Sequence, residues 1–181
     1  LINQLLKTDI QRKDVKEFNK EILMFPLPKN STMQSMNEDC SFVYSMIRYF
    51  KPKNILELGT GFGKNLYGII KACIKNKKPY HIHTIDKTNK GVIDRRILKN
   101  VTMHKGETHA ILKKAVGKLD FIIINQKLNS RSAKLLNKVI NPNTIVCCLN
   151  FVAPISDGLK SLYNIVKNTK LDKSVLIKPN H

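Results

Sequence analysis

Residues 54–64 read Asn54-Ile55-Leu56-Glu57-Leu58-Gly59-Thr60-Gly61-Phe62-Gly63-Lys64. An apolar run that suits a strand passes into three alternating glycines, and a helical pattern opens at Lys64. Glycines in such a turn let the backbone take dihedrals closed to other residues and come close to a ligand. Two kinds of nucleotide-binding turn compete for this stretch. The pattern G-x-G-x-x-G begun at Gly59 would require a glycine where Lys64 stands, whereas acidic-x-G-x-G-x-G is met in full by Glu57, Gly59, Gly61 and Gly63. The second pattern fits.

A glycine motif alone is weak, so its context decides. The next strand candidate, His81-Ile82-His83-Thr84-Ile85, leads directly into Asp86, about 20 residues beyond the loop, where an acid can accept both hydroxyls of a ribose. An N-cap or turn aspartate is the alternative reading. From Asn54 onward apolar runs alternate with helical stretches, the signature of a parallel sheet covered on both faces. Strands are expected at Asn54–Leu58, His81–Ile85, Val101–His104, Phe121–Ile124, Thr144–Leu149 and Ser174–Ile177. Helices are expected at Lys64–Lys75, Gly91–Leu98, Thr108–Ala115, Ser130–Val139 and Ser156–Asn168. The uninterrupted run Phe121-Ile122-Ile123-Ile124 suits an interior strand buried on both faces. The fold class is therefore α/β, a doubly wound, mostly parallel sheet of six to seven strands. Ahead of it, residues 1–32 form a Lys-rich helical arm (Leu1–Met24) and a Pro26/Pro28 loop, and residues 33–181 form the domain, beginning with a helix at Asn37–Phe50 that Pro52 closes.

The bulk numbers bound the remaining choices. With 181 residues, 42% hydrophobic and 25% charged, the chain can bury a core of its own, and no apolar run reaches the roughly 18 residues that span a bilayer. Cys40, Cys73, Cys147 and Cys148 form no Cys-x-x-Cys pair, and the adjacent Cys147 and Cys148 would point to opposite faces of a strand as small hydrophobes; a reducing cytoplasm fits. The net charge of +19 has two readings. It favours a polyanionic partner, nucleic acid above all. It also fits the Lys-, Asn- and Ile-rich usage of an AT-rich genome, because nearly all of it is Lys, whereas forked Arg is what phosphate recognition usually recruits.

From Met33 to Lys178 the chain resembles the class I S-adenosylmethionine-dependent methyltransferases, most nearly the small O-methyltransferases acting on catechol or caffeoyl-CoA. The resemblance rests on Pro52 through Gly63, on Thr84-Ile85-Asp86, on Lys105-Gly106-Glu107-Thr108 and on Leu119 through Asn125. It implies S-adenosylmethionine as cofactor. Glu57 would lie near the methionine amino group, Gly59, Thr60, Gly61 and Gly63 beneath the cofactor, and Asn65 near its carboxylate. Asp86 would hold the ribose, Gly106, Glu107 and Thr108 would border the adenine, and Asn125 would stand beside the sulfonium. Metal-dependent members end the fourth strand in Asp and the fifth in Asp-Asn, where this chain has Asn125 and Leu149-Asn150. Hard cations need oxygen ligands and usually carboxylates, for which a neutral amide pair is a poor substitute, so no catalytic metal is expected. Lys127 stands one position nearer the strand than the family's lysine; it and Asn150 are the candidates for orienting the acceptor, with Asn125 shaping the sulfonium side.

A small-molecule hydroxyl is the expected acceptor. RNA or protein methylation and a non-catalytic cofactor-binding module stay open, as does a homodimer; no membrane partner is expected. Asn125 and the ending Lys178-Pro179-Asn180 break the Lys-Asp-Lys-Glu tetrad of RNA 2′-O-methyltransferases. Asn141-Pro142-Asn143-Thr144 reads as a turn, His81 and His83 as strand packing, His109 as a helix-surface residue, and Lys75, Lys77 and Lys78 as a solvated helix end. Folds of this class usually have seven strands. Six strands and Leu1 in place of Met favour a piece of a longer polypeptide over a natively shortened sheet, with the amino-terminal arm outside the sheet.

Overall fold

The computed structural model describes residues 12–27, 37–88, 92–112 and 117–149. The element order is α1 (Arg12–Leu23), α2 (Asn37–Phe50), β1 (Asn54–Leu58), α3 (Lys64–Asn76), β2 (His81–Asp86), a 3-10 turn (Arg95–Ile97), β3 (Val101–Lys105), α4 (Thr108–Leu112), β4 (Phe121–Ile124), α5 (Ser130–Val139) and β5 (Ile145–Cys148). The described strands form one sheet in the order β3-β2-β1-β4-β5, every neighbouring pair parallel. The expected strand Ser174–Ile177 and helix Ser156–Asn168 lie outside the described residues.

Side-chain alternation sorts the core into two layers. Ile55, Phe121, Ile123 and Cys147 face one side of the sheet, where Phe18, Ile22, Val43, Ile47, Leu66, Ile69 and Ile70 from α1, α2 and α3 close over them. Leu56, Leu58, Ile122, Ile124, Val146 and Cys148 face the other, against Leu112, Ala133 and Leu136 of α4 and α5. Cys147 and Cys148 do point to opposite faces, as a period of two requires. Burial alone pushes the Cys148 thiol up to about 12, so it packs as an inert hydrophobe.

The amino-terminal helix lies outside the sheet. Phe18 stacks on Tyr44 of α2 at 4.1 Å between ring centroids, Asp14 bridges Arg48 (3.0 Å) and Lys75 (2.8 Å), and Glu21 pairs with Lys71 (2.7 Å). At the end of α2, Lys51 takes a left-handed φ of 50° and buried Pro52 turns the chain into β1.

The helix expected over Gly91–Leu98 is a correction. Of its described residues only Arg95–Ile97 are helical, as a single 3-10 turn. Asp94 accepts from the Arg96 backbone N–H (2.9 Å), the local side-chain bond by which aspartate competes with helix propagation. Of Thr108–Ala115 the described part, Thr108–Leu112, is helical, and β5 is one residue shorter at each end than Thr144–Leu149. Thr144 belongs instead to the preceding turn. Its Oγ accepts from Asn141 N–H (2.9 Å), and Asn143 N–H donates to the Asn141 side chain (3.0 Å).

Candidate functional site

The crossover direction reverses between β1 and β4, because β2 and β3 lie to one side of β1 and β4 and β5 to the other. The carboxyl ends of the central strands flare apart at such a switch point and leave a crevice. The glycine loop stands there. Gly59 N–H donates to the Ile85 carbonyl (2.9 Å) and Asn125 N–H to the Leu58 carbonyl (2.8 Å), tying the ends of β1, β2 and β4 together. A Cβ on Gly59 would meet the Asn125 carbonyl oxygen at 2.7 Å, at a φ of +91°. Gly59 is therefore required by its neighbours. Gly61 differs: its φ is +54°, but a Cβ there meets nothing within 4 Å. The loop presents open space at Gly61, the property a ligand cradle needs.

Glu57 is fully buried and belongs to a hydrogen-bond chain. The parallel register sets it opposite Thr84, whose hydroxyl donates to Glu57 Oε2 at 2.6 Å, and the Thr60 hydroxyl donates to Thr84 in turn. Glu57 Oε1 has no hydrogen-bond partner among the described residues. Burial pushes the Glu57 carboxyl up to about 8, the Thr84 bond opposing this and the Asp86 charge adding to it. A buried, half-satisfied carboxyl under a glycine loop is complementary to a cation placed beside it.

Asp86 lies where the sequence puts it, at the end of β2, but part of its carboxylate is already used. Oδ2 accepts from Gly61 N–H (2.9 Å), and Oδ1 from the backbone N–H (2.8 Å) and hydroxyl (2.9 Å) of Thr88. It shapes the loop as well as presenting negative charge. Asn65 is buried in α3, its Oδ1 accepting from the Cys40 thiol of α2 (2.8 Å), so its side chain braces α3 against α2.

The remaining described candidates follow the carboxyl ends of β3 and β4. Gly106 follows β3 with a φ of 144°, its N–H on the Asp86 carbonyl (2.9 Å). Glu107 is exposed and pairs with Lys87 (2.9 Å). Thr108 is buried at the start of α4 and its hydroxyl accepts from Gln126 (2.6 Å). Asn125 follows β4 directly, with its amide Nδ2 directed at the Gly59 carbonyl (3.3 Å), and Lys127 is exposed two residues further on. Asn150 lies outside the described residues. Sequence reasoning missed Thr84, Thr88 and Gln126. Thr84 could have been found by aligning β1 and β2 in parallel register, which pairs it with Glu57.

Three histidines, His81, His83 and His104, form a separate cluster on the α4/α5 face. His83 Nδ1 and His104 Nε2 are 3.0 Å apart, and His81 bonds the Thr102 hydroxyl (2.9 Å). Burial, then the neighbouring imidazoles, holds His83 below the ordinary histidine range.

The order β3-β2-β1-β4-β5, the glycine turn at the β1/β4 switch point and the acid ending β2 together define a Rossmann-like doubly wound fold. Solved methyltransferase structures share this fold. The chain is similar to the SAH-bound Podospora anserina methyltransferase PaMTH1, with a TM-score of 0.61 and 18% identity over 91% of this chain and 82% of that one. The O-methyltransferase from Bacillus cereus in complex with SAH superimposes with a TM-score of 0.61 and 16% identity, covering 91% of this chain and 84% of its own. The O-methyltransferase TomG from Streptomyces achromogenes, involved in tomaymycin synthesis and solved with SAM, gives 0.57 and 14%, with 91% and 81% covered. No family model and no curated protein matches the chain.

Proposed function

We propose that the chain is an S-adenosylmethionine-dependent methyltransferase that transfers a methyl group to the hydroxyl of a small molecule without a catalytic metal. The observation that carries this reading is the glycine loop at the β1/β4 switch point, with open space at Gly61 and the half-satisfied, buried Glu57 carboxyl behind it. These features fit the cofactor: the open glycine admits it, and Glu57 complements its ammonium group. The structural neighbours named above support the reading, since they are described as methyltransferases or as complexes with SAH or SAM.

When bound, the cofactor supplies an electrophilic methyl group on a sulfonium. The chain's own groups do the rest. Asp86 accepts from the ribose hydroxyls while fixing the loop through Gly61, and Gly106, Glu107 and Thr108 border the adenine. Gly59, Thr60 and Gly63 form the floor, with Asn65 bracing α3 from behind. Lys127 and Asn150 orient the acceptor and ease loss of its proton, which a hydroxyl requires as it becomes a nucleophile. Asn125 shapes the sulfonium side. Metal independence is supported by donor chemistry: the Asn125 amide donates toward the Gly59 carbonyl, a bond an aspartate could not make.

Incubation with labelled cofactor and host extract, separated afterwards into small-molecule, RNA and protein fractions and compared with the same extract lacking the chain, tests the transfer. The expected result is a labelled, extractable product whose yield is unchanged by a chelator. Loss of product on chelation, restored by Mg²⁺, overturns the metal-free mechanism. Label found only in RNA or protein overturns the small-molecule acceptor.

A further inference from the structure

The opposite edge of the sheet, where the chain enters the strands, takes no part in the site described above. Each of four entering turns carries exposed lysine: Lys99 ahead of β3, Lys77 and Lys78 ahead of β2, Lys53 ahead of β1 and Lys118 ahead of β4. Backbone bonds hold these turns side by side. His81 N–H donates to the Lys53 carbonyl (2.7 Å), Ile82 N–H to Asn100 (2.9 Å) and Asp120 N–H to Asn54 (2.9 Å). With the strands in the order β3-β2-β1-β4 and about 4.8 Å apart, the lysines form a row along the edge.

Among the described residues none of these lysines has an ion-pair partner. The acid nearest the row, Asp120, directs Oδ2 at the backbone N–H groups of Lys53 (3.0 Å) and Asn54 (2.9 Å). Two aromatic rings stand at the same edge. Tyr49 and Phe50 end α2, are 40% and 38% exposed, and pack edge to face at 4.9 Å. Phe50 also reaches Phe121, the first residue of β4, at 6.3 Å between centroids.

We propose that this edge binds a single-stranded nucleic acid, the lysine row following the phosphates and Tyr49 and Phe50 stacking on unpaired bases. Lysines supply sequence-independent attraction with counterion release, and exposed aromatic faces accept any base. Neither a duplex nor an acidic peptide would use both features. The surface is separate from the glycine loop, so it stands or falls independently of methyl transfer.

Fluorescence anisotropy with a labelled oligouridylate of roughly 20 nucleotides tests this, since single-strand sites span several nucleotides. The quadruple variant Lys53→Glu/Lys78→Glu/Lys99→Glu/Lys118→Glu is compared with a control carrying the same charge change on other exposed lysines, Lys13→Glu/Lys16→Glu/Lys20→Glu/Lys134→Glu. Circular dichroism and calorimetry with S-adenosylmethionine verify that the fold and the glycine-loop site are unchanged in both. The edge variant should bind about 100-fold more weakly at low salt, with a log–log salt slope shallower by about 3, and the control should lose about fivefold or less. Tyr49→Ser should cost about tenfold. Equal losses in the two quadruple variants, no effect of Tyr49→Ser, or equally strong competition by polyglutamate or by phosphatidylserine vesicles would each overturn the proposal.

Discussion

Two glycines of the loop differ in what surrounds them, and substituting each by alanine separates folding from binding. At Gly59 a methyl group meets main-chain atoms of Asn125 at 2.7 Å and 3.0 Å, so β1 and β4 must part; Gly59→Ala is expected to cost about 3 kcal/mol or more and to lower the melting temperature sharply. At Gly61 the space is open, so Gly61→Ala carries only a dihedral penalty of about 1 kcal/mol, yet its methyl group occupies the cradle. It should melt within a few degrees of the parent and lose cofactor binding. Full binding by Gly61→Ala would show that the loop is not the cofactor's seat.

Glu57 makes a pH prediction. Its native carboxyl is raised from 4.5 to about 8, so the folded state holds the proton more tightly than the unfolded state does. The stability contributed is fully present below about 4.5 and is lost as pH rises toward about 8, a change on the order of a few kcal/mol. Melting temperatures measured from pH 5 to pH 8 should fall more steeply for the parent than for Glu57→Gln, which cannot ionise. Parallel curves would mean that Glu57 does not titrate there. A bound ammonium group favours the ionised form, so cofactor binding near neutral pH should release a proton.

At the scale of elements, α1 is held by contacts of very unequal worth. Asp14 is largely enclosed between Arg48 and Lys75. Burial would raise its carboxyl, but hydrogen bonds and charge from Lys75 and Arg48 outweigh this and hold it below the usual range. Asp14→Ala leaves the Arg48 guanidinium bonded to the Asn76 side chain and should cost about 1–2 kcal/mol by thermal or urea melting. The Glu21–Lys71 pair is more than a third exposed on both sides, so Lys71→Ala should cost under about 1 kcal/mol. Equal losses would show that α1 is fixed by its apolar face alone, through Phe18 and Ile22.

Which elements were legible follows from how local their signals are. The β1–loop–α3 unit declares itself within a few residues, through an apolar run, glycine spacing and an acid two positions before the first glycine. The uninterrupted Phe121–Ile124 run likewise marked a strand with neighbours on both sides. The segment around Asp94 misled because a side-chain bond to Arg96 N–H ends what hydrophobic periodicity suggests. Thr84 and Gln126 carry no local signal, for another reason. Their partners Glu57 and Thr108 lie 27 and 18 residues away, and only strand register and loop packing bring them together.

At the scale of the molecule the two edges of the sheet divide the chemistry. The carboxyl edge carries the glycine loop, Glu57, Asp86 and Asn125; the entering edge carries lysines and exposed rings. No helix among the described residues is long and apolar enough to cross a membrane. The order β3-β2-β1-β4-β5 has its reversal at β1/β4, and that placement predicts where the cofactor binds. Isothermal titration calorimetry with S-adenosylmethionine, on the parent and on Asp86→Ala, tests the central claim most directly. The parent should bind one equivalent. Asp86→Ala should bind about 10- to 100-fold more weakly, because it loses a charge-assisted acceptor for the ribose and the bond that shapes Gly61. A folded parent that binds NAD but not S-adenosylmethionine, or an Asp86→Ala variant that binds S-adenosylmethionine as tightly as the parent, would contradict it.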